Sequence, residues 1–396
     1  MLNFKLYPEA NEINPLSSRQ QDLDPDNNGG SIKKQKPDDE ESLQDEKKEA
    51  RPLSPHRPTK PFRPIILCFT LIILFTAGYS YAQIGGSVSL GASYTDNVFS
   101  LSDYDFDRFD ANHANLEFVE TTDDLNAFTL IDLNYPLRYR WWKIEPSLAV
   151  NISNNIINTE KYRRDVLARV RVERYHWNAT MIYGYYPHIY VRDYVDNDGT
   201  GELENFSYER NLYRADANLR ITRTSTIRLH GRYENYYYNE YWTEFDGDAT
   251  TVGLGLRHSF PLFTVNGMYY FRAFDTKLDG DSDFNDSTYE SDRYYFDFAL
   301  KYMPLNDSEP RGATWRPKLS LSYEERYYQG LDTWYGGRVD KIYNTTGGID
   351  LNINAKWNIS LDYSHIFRNV DSPNESVLRL KEYAENRFGA TVKYNF

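Results

Sequence analysis

Cysteine is nearly missing from this chain. Cys68 is the only one in 396 residues, which removes disulfide frameworks and thiolate metal sites from consideration. Long apolar runs are equally scarce. The one run of any length, IILCFTLIILFTA from Ile65 to Ala77, falls short of the roughly 20 apolar residues that a membrane helix needs. A mean hydropathy of -0.71 further excludes a bundle of such helices. Positive charge is also in deficit: 45 Lys and Arg against 58 Asp and Glu leave a net charge of -13 and argue against a nucleic-acid partner.

What the chain has instead is aromatics, with 35 Tyr, 21 Phe and 7 Trp. Many aromatics in a polar chain suit strands with one lipid face and one water face. The short apolar run follows the basic RPTKPFRP and precedes GYSYAQIGG, the layout of a secretory signal peptide over residues 62–82, cut after Ala82 with Ser80 at the minus-three position. A membrane anchor is the competing reading, and the length of the run counts against it. Cys68 lies inside that run, away from the cut, so a lipid-modified N-terminus is not expected. Residues 1–61 are charge-dense (KKQKPDDEESLQDEKKEARP) and cannot bury enough apolar surface to fold; they are read as a disordered extension, or as sequence ahead of the true start.

From Gln83 onward two-residue alternation recurs. In LYRADANLRIT, Tyr213, Ala215, Ala217, Leu219 and Ile221 take one face and Arg214, Asp216, Asn218 and Arg220 the other. Fourteen such runs are centred near Leu90, Ile131, Leu148, Val170, Tyr185, Ala217, Leu229, Leu254, Tyr269, Phe298, Leu321, Leu351, Leu361 and Val392; ANHANLEFVETT is a candidate for one more. The connections alternate between tight turns such as RWWKIE and AKWNIS and large polar loops such as RDYVDNDGTGELENFSYE, with MPLNDSEPRGATWRP long for a turn. This predicts an all-β fold: a transmembrane antiparallel up-and-down barrel of about 14 strands over residues 83–396.

The turns carry Trp141, Trp142, Trp177, Trp315 and Trp357, which a closed barrel brings to one rim as an aromatic girdle. Tyr190, Tyr194, Tyr236, Tyr237, Tyr238, Trp242 and Trp334 are expected to form the second girdle. The chain ends in RFGATVKYNF, with Phe388, Ala390, Val392, Tyr394 and Phe396 on one face. This ending resembles that of bacterial outer-membrane β-barrel proteins, porin-like ones among them, in which an alternating C-terminal run closed by an aromatic residue is the signal read by the barrel assembly machinery. The resemblance implies export to the outer membrane of a Gram-negative-type bacterium, with outer-membrane lipid and lipopolysaccharide around the barrel. LGASYTDNVFSLSD has a weaker resemblance to exopolysaccharide-associated outer-membrane barrels.

Catalysis is not expected. His258 and Ser259 are adjacent and so point to opposite faces of a strand, and His365 is likewise separated from Asp362 and Ser364. No cofactor is expected, with one alternative: Ca²⁺ at the acidic loops, where Asp196 and Asp198, and Asp279, Asp281 and Asp283, supply hard oxygen ligands without full EF-hand spacing. The water-side face collects Arg169, Arg171, Arg214, Asp216, Arg220, Arg228, His230, Arg232, Glu234, Arg257 and Arg272 as pore-lining candidates. Two readings stay open, a basic lumen favouring anions and a set of mutually neutralised ion pairs bracing the wall. The function expected first is passive diffusion of small hydrophilic, notably anionic, solutes. Export of surface polysaccharide is the alternative, and a non-conducting structural or adhesive barrel the third.

Overall fold

Strict alternation leaves a strand no choice of face: one side set must meet lipid and the other water. Fourteen such strands close into one antiparallel ring in the computed structural model, which describes residues 84–196, 199–276, 286–306 and 312–396. The N-terminal extension, the signal segment, Cys68, Asp198, Asp279, Asp281 and Asp283 lie outside the described residues.

The wall strands are β1 (Gly85–Thr95), β2 (Asp124–Asn134), β3 (Trp142–Asn155), β4 (Arg163–Arg174), β5 (Trp177–Val195), β6 (Leu203–Arg220) and β7 (Ser225–Tyr238), then β8 (Gly247–Ser259), β9 (Phe263–Thr276), β10 (Tyr289–Leu300), β11 (Thr314–Tyr328), β12 (Val339–Asn352), β13 (Trp357–Asp371) and β14 (Tyr383–Asn395). Each pairs with its neighbours in sequence, and every one of the fourteen expected centres falls inside its own strand. Short ladders at Leu137–Tyr139 and Met303–Pro304 extend β3 and β11 at the turn end. The stretch ANHANLEFVETT is not a strand. It holds a single 3-10 turn, Ala114–Leu116, in a long connection that also carries α1 (Asp103–Asp110), begun by the Ser102 hydroxyl accepting the Asp105 N–H. A second helix, α2 (Glu375–Lys381), lies between β13 and β14.

The ring closes where β14 returns to β1, with Leu90 opposite Val392 and Tyr94 opposite Phe388. At the end of that seam Phe396 donates its N–H to the Gly86 carbonyl at 3.0 Å, and Gly86 donates back to the Phe396 carbonyl at 3.2 Å. The last residue is therefore held in the ladder. Closure leaves no unpaired edge, the condition for a sheet to sit in hydrocarbon.

The outer face is apolar: Leu90, Leu254, Phe388 and Phe396 are each more than half exposed. Trp141, Trp142, Trp177, Trp315 and Trp357 sit at the turn rim, where Trp142 meets Trp177 edge-on at 5.6 Å and Trp357 packs on Tyr394 at 4.8 Å. Toward the loop end, outward rings form rows across neighbouring strands, such as Tyr269, Tyr294, Tyr323, Tyr343 and Phe367. Among the described residues no helix is long and apolar enough to cross a membrane, and the strands provide the span.

The seam generates a prediction. A Cβ on Gly86 would lie 2.7 Å from the Phe396 ring and 2.9 Å from the Asp132 carbonyl oxygen, and the second of these is backbone that cannot swing aside. Gly86→Val is expected to destabilise the barrel by roughly 1–3 kcal/mol. Urea unfolding followed by the heat-sensitive gel mobility of the barrel checks it.

Candidate functional site

The inner face is built by the residues that alternate with the lipid-facing ones. All eleven pore-lining candidates lie on it, and the structure sorts them into layers along the barrel axis. Nearest the turns, Arg171, Arg220 and Arg257 share a cavity of about 280 Å³ with Arg223 of the β6–β7 turn. Arg171 has the Glu173 carboxylate at 3.2 Å; Arg220, Arg223 and Arg257 have no carboxylate partner among the described residues.

One layer up, charges are paired. Asp216 accepts from Arg214 at 2.7 Å and faces His230 Nδ1 at 2.9 Å, Arg169 meets Asp132 at 3.1 Å, and Asp350 holds both Arg316 and Lys318. Arg228 donates to the Asn266 side chain at 2.8 Å. Further toward the loops the acids become fully buried. Glu234 receives Arg210, Arg232 and Arg272 from three strands, and Asp340 receives Arg338 and Arg368. Glu234, Arg338 and Asp340 have no exposed surface at all. The inner-face charges differ with depth: most are paired in the middle and loop-end layers, whereas Arg220, Arg223 and Arg257 at the turns have no carboxylate partner among the described residues.

Above the ion pairs lies an apolar core inside the barrel. Phe206, Tyr236, Tyr238, Trp242, Phe245, Phe274, Tyr289, Tyr328, Trp334, Tyr335, Val370 and Val377 form one buried cluster drawn from β6 to β11, β13, α2 and the loops between. This corrects the expected second girdle. Of its proposed members only Tyr237 faces outward, at 44% exposed; Tyr190, Tyr236, Tyr238, Trp242 and Trp334 are buried inward. The reason is parity. In β7 the even positions from Thr226 to Tyr238 share the face of Arg228 and Arg232, so two of three consecutive tyrosines must point into the barrel.

The long connections complete the closure. Asp105 of α1 pairs with Arg192 of β5 at 3.2 Å, Phe99 meets Tyr190 of β5 edge-on, and Arg379 of α2 stacks 4.0 Å from the Tyr104 ring of α1. Lys381 places its ammonium 5.2 Å from the Trp334 ring and 6.0 Å from Tyr194 of β5. Since α2 leads into β14, and β1 to β4 separate β14 from β5 on the shorter arc, these contacts cross the lumen.

Three further residues need placing. His258 does not meet Ser259, but its Nδ1 lies 2.8 Å from the Ser225 hydroxyl on the outward face at the turn rim, and among the described residues no carboxylate bonds to the ring. Asp216 as partner of His230 was readable as an inward acid on the preceding strand, though only register places them opposite each other. Asp196 accepts N–H bonds from Gly199 at 3.0 Å and Thr200 at 2.9 Å, so its carboxylate caps its own turn. No group of three acidic, His or Cys side chains suited to a metal occurs among the described residues.

No protein-family model matches the chain, and no curated protein sequence matches it. Among solved structures it is similar to an anion-selective porin from Comamonas acidovorans (8% identity, TM-score 0.41, 80% of this chain and 99% of that one). It is similar too to the outer membrane channel DcaP of Acinetobacter baumannii (12%, 0.43, 80% and 97%) and to a bacterial polysaccharide outer membrane secretin (9%, 0.40, 78% and 98%). The barrel assignment rests on the strand register and not on these likenesses.

Two predictions follow from the loop-end layers. Glu234→Gln removes the buried charge shared by three guanidinium groups; breaking a buried pair costs roughly 3–5 kcal/mol, and hydrogen exchange at the loop ends of β6 to β9 should accelerate ahead of the turn ends. Lys381 is buried, and desolvation together with Arg338, Arg192 and Arg368 holds its pKa well below 10.5, against the opposing pull of Asp105. The open state then binds the extra proton, so the closed loops gain stability as pH rises from the depressed value toward 10.5. Protease resistance of the α2 loop should increase over that range, and Lys381→Met should flatten the dependence.

Proposed function

We propose that the protein is an outer-membrane channel for small hydrophilic anions, closed at its outer mouth by its own loops. The observation that carries this reading is the asymmetry of the inner face: a cavity at the turn end where three of four arginines have no carboxylate partner among the described residues, charge-neutralising pairs in the middle, and a packed aromatic core under the loops. Cations near a water-filled entrance raise the local concentration of anions and repel cations. In an outer membrane the short turns and both ends of the strand order, near Gly86 and Phe396, would lie in the periplasm, and the terminal Phe396 would be the handle for the assembly machinery. The packed core argues for a gate in place of a passive sieve, because a water-excluded layer blocks ions as effectively as it blocks water.

Polysaccharide export would use the same barrel but require the loops to part widely enough for a polymer. A structural or adhesive barrel would keep them shut. Planar-bilayer recording separates these. Wild-type protein is expected to stay closed for most of the record, while replacing residues 373–381 by a short Gly-Ser link should yield sustained openings with anions more permeant than cations. A correctly folded loop variant that never conducts would remove the channel reading and leave the scaffold.

A further inference from the structure

We infer that the turn-end cavity is a binding site for a small, multiply charged oxyanion, of the size and chemistry of a phosphate ester, pyrophosphate or tricarboxylate. The inference rests on the channel reading for its physiological use, since the site stands at the end from which a periplasmic solute would enter, but the geometry behind it is independent of conduction. Four guanidinium groups from three strands and one turn, Arg171, Arg220, Arg223 and Arg257, surround one volume of about 280 Å³. Among the described residues only Arg171 has a carboxylate beside it, Glu173 at 3.2 Å; Asp297 acts on Arg257 at longer range through its field.

The remaining lining suits the same ligand. Asn218 donates its amide to the Asn178 carbonyl oxygen at 2.9 Å, which leaves the Asn178 amide N–H groups to serve a ligand, and Thr226 adds a hydroxyl. Guanidinium forks match the paired oxygens of carboxylates and phosphates, and neutral amide and hydroxyl donors add directionality without charge. The contrast with the rest of the inner face sharpens the point. Neighbouring arginines mostly have an acid, as Asp216 does for Arg214 and Asp132 for Arg169, with Arg228 on the Asn266 side chain as an exception, whereas this layer gives three of four none among the described residues. A site that neutralises cations only when occupied has that composition. A singly charged solute would leave most of the positive field unanswered, so affinity should climb steeply with ligand charge.

The test is isothermal titration of the full chain in detergent with pyrophosphate, then with citrate and acetate as competitors at constant ionic strength. Saturable binding at one site per barrel is expected, displaced by citrate and not by acetate, and weakened at least tenfold in Arg220→Gln and Arg257→Gln. Arg138→Gln, an exposed turn-end charge outside the cavity, should leave it unchanged. Retained heat-sensitive gel mobility certifies that each variant is folded. Absence of saturable binding, or equal weakening by Arg138→Gln, overturns the site. A barrel that binds pyrophosphate here yet conducts nothing sinks the channel reading and keeps the site, and an anion-selective channel with no saturable binding does the reverse.

Discussion

Everything in this barrel depends on the closure of its hydrogen-bond ladder. A strand in hydrocarbon has no water to satisfy its backbone, so each N–H and C=O on its edges must find another strand, and the last must find the first. The β1–β14 seam meets that demand along its length, and the reciprocal bonds between Gly86 and Phe396 carry it to the final residue. Once the ring is closed, inside and outside are fixed for every side chain. The same constraint that puts Leu254 in lipid puts Arg257 in the lumen, three residues later.

That constraint also explains why the fold was legible and the plug was not. Alternation records which solvent a strand faces, so Leu90, Leu254 and Val392 announced their strands without reference to any partner. In-strand ion pairs two residues apart on one face, such as Arg214 with Asp216 or Arg326 with Glu324, were within reach of the same reasoning. Glu234 with Arg210 and Arg272 was not, because those partners come from other strands and only register aligns them. The aromatic core under the loops was misread for a related reason. Composition places Tyr236, Tyr237 and Tyr238 near a strand end, and a rim girdle is one use of such residues; parity within β7 assigns two of the three inward, and the helices that meet them come from connections with no periodicity to read.

The ion pairs and the aromatic core support each other. Charges in a space without water are costly unless each has its counterpart, and Arg338 shows how the counterparts are arranged: both Asp340 oxygens accept from it, at 2.9 and 3.0 Å, while its guanidinium stacks 4.5 Å from the Tyr328 ring. The rings exclude water and so strengthen the pairs, and the pairs fix the strands at the spacing the rings need. Removing either half would wet the other. This mutual dependence suits a two-state closure more than a gradual one, because a partly wetted layer keeps the desolvation penalty of the charges while losing the packing of the rings.

The turn end has no such lock. Its arginines line a cavity, and no aromatic side chain is among that cavity's lining residues. The barrel is thus packed at one end and open and cationic at the other, and the division follows from how acids are distributed on the inner face. Where Glu234, Glu324, Asp340 and Glu385 stand, arginine serves the wall; beside Arg220, Arg223 and Arg257 no acid among the described residues takes that part.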